Sequence, residues 1–299
     1  MIAAILPLAV SFARAGRLPL TRRAFMAGSS IVAASMSSQP AGASPGFVTE
    51  TLLVNGQRYN AQRFVEADVG MKFQRTELTD KLFAQAWPAD WPFPPSAFSR
   101  LDESDDGDFY SSPRFVYHID EGAVRALTDY YKASIPDGSA VLDICSSWVS
   151  HYPDDFPQKM KRIAGTGMNS LELEGNKQLS DFTPKNLNIE PKLSGYADNS
   201  FDVVTCVVSV DYLIHPLEVF KEVRRVLKPG GKFILSQSNR MFQSKAIKMW
   251  LGMDDLQHAL VIGAYFNYAG GWSKARAFDV SPSGPRTNDP LFIVEAIKE

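Results

Sequence analysis

The chain is 299 residues long, and its 45% of hydrophobic residues against 21% of charged ones exclude wholesale disorder. Its formal net charge of -2 excludes the strongly basic surface typical of nucleic-acid-binding proteins, so no nucleic-acid partner is predicted. No uninterrupted apolar run reaches the roughly 20 residues that a membrane span requires. The mature protein is therefore predicted to have no membrane span.

Residues 1–43 have the composition of a targeting segment. No Asp or Glu precedes Glu50, whereas four arginines do, and the Arg22-Arg23 pair resembles a twin-arginine signal. Residues 41–43, Ala-Gly-Ala, fit a small-residue cleavage site, which would start the mature chain near Ser44. With the apolar residues 1–10 as a second signal, the sequence predicts a transit peptide into a plastid (chloroplast) and onward passage to the thylakoid lumen. A bacterial periplasm and a disordered basic tail are the alternatives.

Residues 44–112 are predicted to form an N-terminal extension. Its segment 87–95 contains two tryptophans and four prolines, a density that excludes a regular helix, and the tryptophans are predicted to hold the extension against the main domain. The acidic run 102–108 superficially resembles a calcium loop. The twelfth position counted from Asp102 is Pro113, where an EF-hand needs a bidentate Glu. The run is therefore interpreted as a solvated loop.

Strands and helices alternate along residues 113–299, the predicted main domain. In chain order the predicted elements are a helix at 120–133, strands at 140–145 and 162–165, a helix at 170–179, a poor strand at 186–188, a strand at 201–208, a helix at 215–227, a strand at 233–236, a helical region at 244–268 broken near 252, and a hairpin of 275–280 with 291–297. This pattern predicts an α/β, Rossmann-like doubly wound fold. Its sheet has seven mostly parallel strands and ends in an antiparallel hairpin.

Three segments of the main domain carry a family resemblance. Residues 141–143, 199–204 and 222–231 follow the order and spacing of class I S-adenosylmethionine-dependent methyltransferases. The last two resemble the D-x-S-F-D-x-V and R-V-L-K-P-G-G signatures of the type 11 subgroup. Residues 109–120, 146–151, 167–169 and 238–242 also resemble an uncharacterised methyltransferase-like family of bacteria and plastids. The resemblance covers about residues 120–299 and implies S-adenosyl-L-methionine as the cofactor.

The resemblance implies a cofactor pocket beyond the carboxyl ends of the first strands. Related proteins have a glycine-rich D-x-G-x-G loop after the first strand, whereas residues 143–148 contain no glycine. Small side chains leave room there, and the serine hydroxyls could bond the cofactor carboxylate. After the second strand the usual ribose-binding acid is absent, and an amide takes its position. The predicted cofactor-binding residues are Asp143, Cys145, Ser146, Ser147, Gly167, Asn169 (ribose) and Asn186 (adenine).

The candidate catalytic residues are His118, Asp211 and Tyr212. His118 is a candidate base, and the resemblance implies that residues after the fourth strand, here Asp211 and Tyr212, lie near the transferable methyl group. Tyr110, Arg114, His215, Asn239 and Arg240 are further candidates to line the acceptor side, with Arg240 a candidate to hold an anionic acceptor.

Metal and disulfide chemistry are not predicted. Cys145 and Cys206 lie in apolar segments and are interpreted as buried thiols, without the spacing of a zinc site. His151 with Asp154 and Asp155 is the strongest metal candidate, but two nearby prolines argue against its geometry.

The predicted function is an S-adenosylmethionine-dependent methyltransferase whose small-molecule or protein acceptor is unknown. The alternative is a catalytically inactive methyltransferase-fold scaffold or assembly factor, which the missing glycines favour. A half-match to the dinucleotide fingerprint at residues 165–170 is a weak indication of a nicotinamide oxidoreductase.

Overall fold

The computed structural model describes residues 46–65, 72–284 and 287–299. The predicted targeting segment, residues 1–43, lies outside the described residues, so its cleavage and destination stay predictions. Within the described ranges, no helix is both long and apolar enough to cross a lipid bilayer.

The strands are β1 (Gly46–Val54), β2 (Gln57–Val65), β3 (Thr76–Glu77), β4 (Ala140–Ile144), β5 (Arg162–Gly167), β6 (Asp181–Pro184), β7 (Phe201–Val207), β8 (Leu227–Gln237), β9 (Arg276–Asp279) and β10 (Phe292–Ile297). The helices are α1 (Thr79–Phe83), α2 (Asp106–Phe109), α3 (Glu121–Ser134), α4 (Phe156–Lys159), α5 (Ser170–Gly175), α6 (Pro216–Val226) and α7 (Asp255–Ala269). Single 3-10 turns occur at Pro95–Phe98, Val210–Tyr212 and Trp250–Gly252.

The main sheet has the strand order β3-β9-β10-β8-β7-β4-β5-β6. Strands β4 to β8 are parallel, and β10 is antiparallel to both β8 and β9. The chain runs outward from β4 through β5 to β6 and then returns to the other side of β4 as β7 and β8. The gap between the carboxyl ends of β4 and β7 is thus the switch point where doubly wound folds bind ligands.

The predicted doubly wound sheet with its antiparallel C-terminal hairpin is confirmed. The sheet has eight strands instead of seven, because Thr76 and Glu77 add β3 beside β9. Two residues are too few to produce an alternating pattern, so this strand leaves no signal in the sequence.

Helix boundaries follow local chemistry. Helix α3 begins at Asp120, whose side chain accepts a hydrogen bond from the Ala123 N–H, as an N-cap does. Helix α6 begins at Pro216, which suits a first turn, and its buried stripe of Val219, Phe220, Val223 and Val226 faces the sheet. Both helices lie within one residue of their predicted bounds.

Four predicted elements differ from the structure, and one of them is strand β8, which begins at Leu227 instead of 233. The third parallel strand is β6 at 181–184, whereas residues 186–188 form a turn in which the Asn186 side chain accepts from the Asn188 N–H. Strand β6 is a largely exposed edge strand, so it lacks the apolar run that marks its neighbours. Helix α5 ends at Gly175 instead of 179, and α7 starts only at Asp255, behind an Asp254–Gln257 capping box.

The extension contributes a hairpin that the sequence reading missed. Strands β1 and β2 pair through an Asn55-Gly56 turn, with φ of 49° and 75°. Such positive angles at both central residues are what a two-residue hairpin requires, and Asn-Gly is its preferred sequence. The predicted packing of the tryptophans is confirmed, because Trp87 and Trp91 contact Tyr268 of α7 with ring centroids 6.3 and 5.2 Å away.

The interpretation of residues 102–108 as a solvated loop is wrong for Asp106. This carboxylate is buried and lies 2.6 Å from a guanidinium nitrogen of Arg100 and 3.4 Å from the Lys245 ammonium. Lys245 comes from the loop after β8, so only the folded topology brings it to the acidic run. The interpretation of the cysteines as buried thiols is confirmed for Cys206, whereas Cys145 is a free thiol that is only half-buried.

Candidate functional site

A cavity of about 320 Å³ opens at the carboxyl ends of β4 to β8, at the switch point of the sheet. Residues from 100 to 118 of the chain close its opposite side. Nine of the ten residues predicted for the site line this cavity: His118, Asp143, Cys145, Ser146, Ser147, Gly167, Asn169, Asn186 and Tyr212. The tenth, Asp211, is buried behind the wall. Their roles stay predictions, but the fold brings the nine together.

The loop after β4 is held by a buried carboxylate. Asp143 accepts hydrogen bonds from the Ser146 hydroxyl at 2.6 Å and from the Thr205 hydroxyl at 3.0 Å. Burial raises the pKa of Asp143 to about 6. Cys145 lies between Asp143 and Ser146 in the chain and has a φ of 53°. Glycine would adopt this left-handed conformation without strain. Hydrogen bonds to Asp143 therefore hold in place a turn that glycines form in related proteins.

Gly167 brings the ends of β4 and β5 together. A Cβ atom on Gly167 would overlap the backbone carbonyl of Ser146. The Ser146 N–H also donates to the Thr166 carbonyl at 2.8 Å. Only glycine permits this approach of two backbones, so Gly167 shapes the pocket floor through a protein–protein contact.

Asn169 is fully engaged within the protein. Its Nδ2 donates to the carbonyls of Tyr110 at 2.8 Å and Ser111 at 3.2 Å, and its Oδ1 accepts from the N–H groups of Leu171 and Glu172. An asparagine side chain has two donors and two acceptor positions, so none is left for a ribose. Asn169 caps α5 and ties the segment before α3 to it.

Glu172 supplies a carboxylate three residues after Asn169, the residue that takes the position of the ribose-binding acid in the sequence analysis. It lies in the first turn of α5, is buried, and lines the cavity. Its Oε1 accepts from the backbone N–H of Arg114 at 2.6 Å, and burial raises the pKa of Glu172. The sequence analysis assigned the ribose contact to Asn169, three residues before Glu172. Extending it through the first helical turn after the strand would have found Glu172.

The cavity wall beyond β7 and β8 is built by residues around Phe242, which follows β8. The Phe242 ring lies 5.7 Å from the His118 ring and 6.0 Å from the Tyr212 ring, and its N–H donates to the Tyr212 hydroxyl at 2.8 Å. Desolvation by the surrounding protein and the nearby Arg114 charge lower the pKa of His118 to about 4, although the residue is partly exposed to solvent. Burial raises the pKa of Asp211 to about 8, and this carboxyl is protonated at neutral pH.

A family model described as "Methyltransferase domain" matches residues 156–235, from α4 into β8. This stretch contains four of the five parallel strands that flank the switch point. Residues 156–235 therefore belong to a methyltransferase domain. The family and the fold imply S-adenosylmethionine as its cofactor.

The relatives of this methyltransferase domain match only short segments. The malonyl-[acyl-carrier protein] O-methyltransferase of Marinomonas sp. is 34% identical over 61 residues, 20% of this chain and 23% of that protein. The ubiquinone biosynthesis O-methyltransferase of Idiomarina loihiensis is 39% identical over 62 residues, 20% of this chain and 24% of that protein. The chain thus matches at most about a quarter of the length of these curated relatives.

Solved structures match the chain only distantly. A SAM-dependent methyltransferase from Aquifex aeolicus is 15% identical, with a TM-score of 0.42 over 70% of this chain and 100% of that chain. The family assignment therefore stands on the matched region and on the strand order of this methyltransferase domain.

Two buried polar atoms show that the methyltransferase cavity fits a polar cofactor. By hydrogen-bond geometry the Ser147 Oγ and the His151 Nδ1 have no partner within the described ranges, although the Ser147 hydroxyl is close enough to Glu172 to lower the pKa of that carboxyl; both residues line the cavity. Buried polar atoms are normally paired, so unpaired ones facing a cavity indicate a ligand that pairs them. Together with the Glu172 carboxylate they would hold the amino-acid and ribose ends of S-adenosylmethionine.

The remaining predicted residues of the methyltransferase domain separate into two groups. Tyr110, Arg114 and Arg240 line the cavity, but Arg240 is already paired with Asp289 at 2.7 Å. His215 directly precedes α6, and neither it nor Asn239 lines the cavity. In the part of the chain that the structure describes, no three His, Cys, Asp or Glu side chains are grouped to hold a metal ion.

Proposed function

We propose that this methyltransferase domain binds S-adenosylmethionine and transfers its methyl group to an acceptor in the same cavity. One observation carries the proposal. The cavity at the switch point has unpaired polar atoms and a carboxylate on its β4–β5 side, and aromatic side chains on its β7–β8 side. This division suits a polar cofactor placed beside a less polar acceptor.

Bound S-adenosylmethionine supplies a methyl group that is already activated on a sulfonium. The chain's residues then have to align the acceptor with that group and exclude water. Ser147, His151 and Glu172 bind on the cofactor side, and Tyr110 and Phe242 form the aromatic wall on the acceptor side. Methyl transfer of this kind depends mainly on position.

Proton removal has a small part in the proposed reaction. His118 is a weak base at pH 7, because desolvation and the Arg114 charge hold its pKa at about 4. Asp211 is protonated at pH 7 and lies behind Tyr212, where its Oδ2 has no hydrogen-bond partner in the described structure. An acceptor atom that is already deprotonated at pH 7, or that has no proton to lose, therefore suits the cavity best.

A catalytically inactive scaffold or assembly factor is the second candidate function. The observation that favours it is the full engagement of Asn169, which leaves one expected ribose contact unmade. The absence of glycine from the loop at 143–148 also favours this alternative. Under this alternative the cavity would be a remnant, and the surface would hold the function.

Calorimetric titration of the full chain with S-adenosylmethionine and S-adenosylhomocysteine distinguishes the two functions. We expect both to bind, and at 100 times Kd each would stabilise the fold by about 2.7 kcal/mol. Ser147→Ala should weaken both, because it removes one of the unpaired atoms. Glu174→Gln, on the exposed side of the same helix as Glu172, is the control and should change neither. Absence of heat and of thermal stabilisation from folded protein would leave the scaffold function.

A further inference from the structure

Five cationic side chains line the cavity, and four of them are neutralised by carboxylates. Arg100 pairs with Asp106 at 2.6 Å, Lys185 with Glu190 at 2.8 Å, Arg240 with Asp289 at 2.7 Å, and Lys245 with Asp102 at 3.2 Å. The fifth is Arg114. Within residues 46–65, 72–284 and 287–299, no carboxylate forms an ion pair with its guanidinium.

The Arg114 side chain is nevertheless fixed. One guanidinium nitrogen donates to the Phe109 carbonyl at 2.9 Å, and the guanidinium lies 4.7 Å from the Phe109 ring centroid and 5.3 Å from that of Phe242. The Glu172 carboxylate accepts from the backbone N–H of Arg114, not from its guanidinium. The Glu172 charge lies near Arg114, but no carboxylate of the described residues forms an ion pair with the guanidinium. Burying an unpaired guanidinium costs free energy, so its retention in a cavity wall indicates an anionic ligand.

The position of the guanidinium assigns that anion to the acceptor. Arg114 contacts Phe242, and Phe242 in turn contacts Tyr212 and His118. These residues form the wall beyond β7 and β8, whereas the cofactor groups Ser147 and Glu172 follow β4 and β5. The anion held by Arg114 therefore belongs on the acceptor side of the cavity.

We infer that the acceptor of this methyltransferase carries a carboxylate, which the Arg114 guanidinium binds inside the cavity. The inference rests on the proposed methyl transfer. A carboxylate matches the planar donor fork of arginine, and an apolar body attached to it would contact the rings of Phe109 and Phe242. A doubly charged phosphate would lose more solvation energy between these rings, because it would face one cation only.

Benzoate and benzamide are the probes, because they differ in charge but hardly in shape. Each is titrated into the full chain, with and without saturating S-adenosylhomocysteine. We expect benzoate to bind at least about tenfold more tightly than benzamide. Arg114→Gln should abolish this preference by weakening benzoate alone, and Arg114→Lys should keep part of it. The control is Arg63→Gln, which removes an exposed cation that pairs with Glu50 at 3.0 Å and does not line the cavity, and it should leave benzoate binding within about twofold.

Two outcomes would overturn the inference. One is equal binding, or no binding, of benzoate and benzamide to the wild-type chain, a result that needs no variant to fold. The other is that Arg114→Gln weakens S-adenosylhomocysteine but not 5′-methylthioadenosine, which lacks the amino-acid portion, because Arg114 would then hold the cofactor's own carboxylate. Failure of the wild-type chain to bind S-adenosylhomocysteine at all would instead refute the proposed function, and the benzoate preference would still be measurable.

Discussion

The Cα of Gly167 packs directly against the backbone carbonyl of Ser146, with no room for a side chain between them. Gly167→Ala should therefore push apart the ends of β4 and β5 and lower the free energy of unfolding by about 1–3 kcal/mol. Denaturant unfolding measures this cost. Gly252→Ala is the control, because no atom lies within 4 Å of a Cβ built there. Equal stability of the two variants would mean that the contact does not hold the loop.

Substitutions of Asn169 distinguish a helix-capping role of this side chain from a ligand-binding role. Asn169→Ala removes the N-cap of α5 and both donors to residues 110 and 111, and we expect a loss of about 2 kcal/mol of stability. Asn169→Asp keeps the cap but loses the two donors, so its stability should fall between alanine and wild type. If Asn169→Ala instead left stability unchanged and abolished S-adenosylmethionine binding, the amide would be a ligand contact after all.

Glu172→Gln tests the carboxylate that the sequence reading missed. Glutamine can still accept from the Arg114 N–H through its side-chain oxygen, so the fold should be kept. The loss of charge should weaken S-adenosylhomocysteine and 5′-methylthioadenosine alike, by about tenfold, because both contain the ribose. Calorimetry measures both affinities. A variant with wild-type affinity for both compounds would remove Glu172 from the cofactor site.

The buried Asp211 should make stability depend on pH. Its pKa is about 8 in the folded chain, against an ordinary value of 3.8. Because the folded state holds this proton more tightly, the stabilisation is present below pH 4 and is lost as the pH rises to about 8. Asn at 211 stays neutral at every pH. The melting temperature of Asp211→Asn, relative to wild type, should rise by a few degrees between pH 5 and pH 9.

The control for this pH effect is Asp80→Asn, which removes a carboxylate at a side chain that is 96% exposed. Its melting temperature relative to wild type should stay flat over the same range. A flat difference for Asp211→Asn as well would mean that residue 211 titrates as an ordinary surface carboxylate.

Trp148 links the N-terminal hairpin to the loop of the proposed cofactor site. Its indole N–H donates to the Val116 carbonyl at 2.8 Å, and its ring packs with Phe115 and with Leu52 and Val54 of β1. Trp148→Phe should cost about 1–3 kcal/mol of stability and also weaken S-adenosylhomocysteine binding, because the loop at 145–149 loses its anchor. Calorimetry and denaturant unfolding together check this expectation.

Trp87→Phe is the matched control for Trp148→Phe. Trp87 packs on α7 through Tyr268 and does not line the cavity. It should lose some stability but keep its affinity for S-adenosylhomocysteine. If both variants bound S-adenosylhomocysteine as wild type does, the hairpin would serve stability alone.

The parallel strands could be predicted because burial on both faces makes them continuous apolar runs, as in β4 and β7. Helix α6 was equally clear, because proline begins it and its apolar residues recur with helical spacing. Strands β3 and β6 could not be predicted, since one has two residues and the other is an exposed edge. Pattern reading detects burial, and these strands are hardly buried.

Nine of the ten predicted site residues line the cavity because the carboxyl ends of parallel strands meet at one edge of the sheet. The hydrogen-bond and ion-pair partners of those residues could not be predicted. The Asn169 amide donates to the carbonyls of Tyr110 and Ser111, and Arg240 pairs with Asp289. These contacts join segments that are about 50 residues apart or more along the chain. Sequence spacing identified the residues at the site but not their hydrogen-bond partners.

Strand β3 has a consequence for how the protein is made. It pairs with β9, and the Glu77 carboxylate reaches Arg276, 199 residues later in the chain. At about 5–20 residues per second, a ribosome needs roughly 10–40 s to make that stretch. The edge of the sheet therefore cannot close until Arg276 and the rest of β9 have been synthesised. Until then, residues 72–77 leave the ribosome as an unpaired segment that a chaperone can still hold.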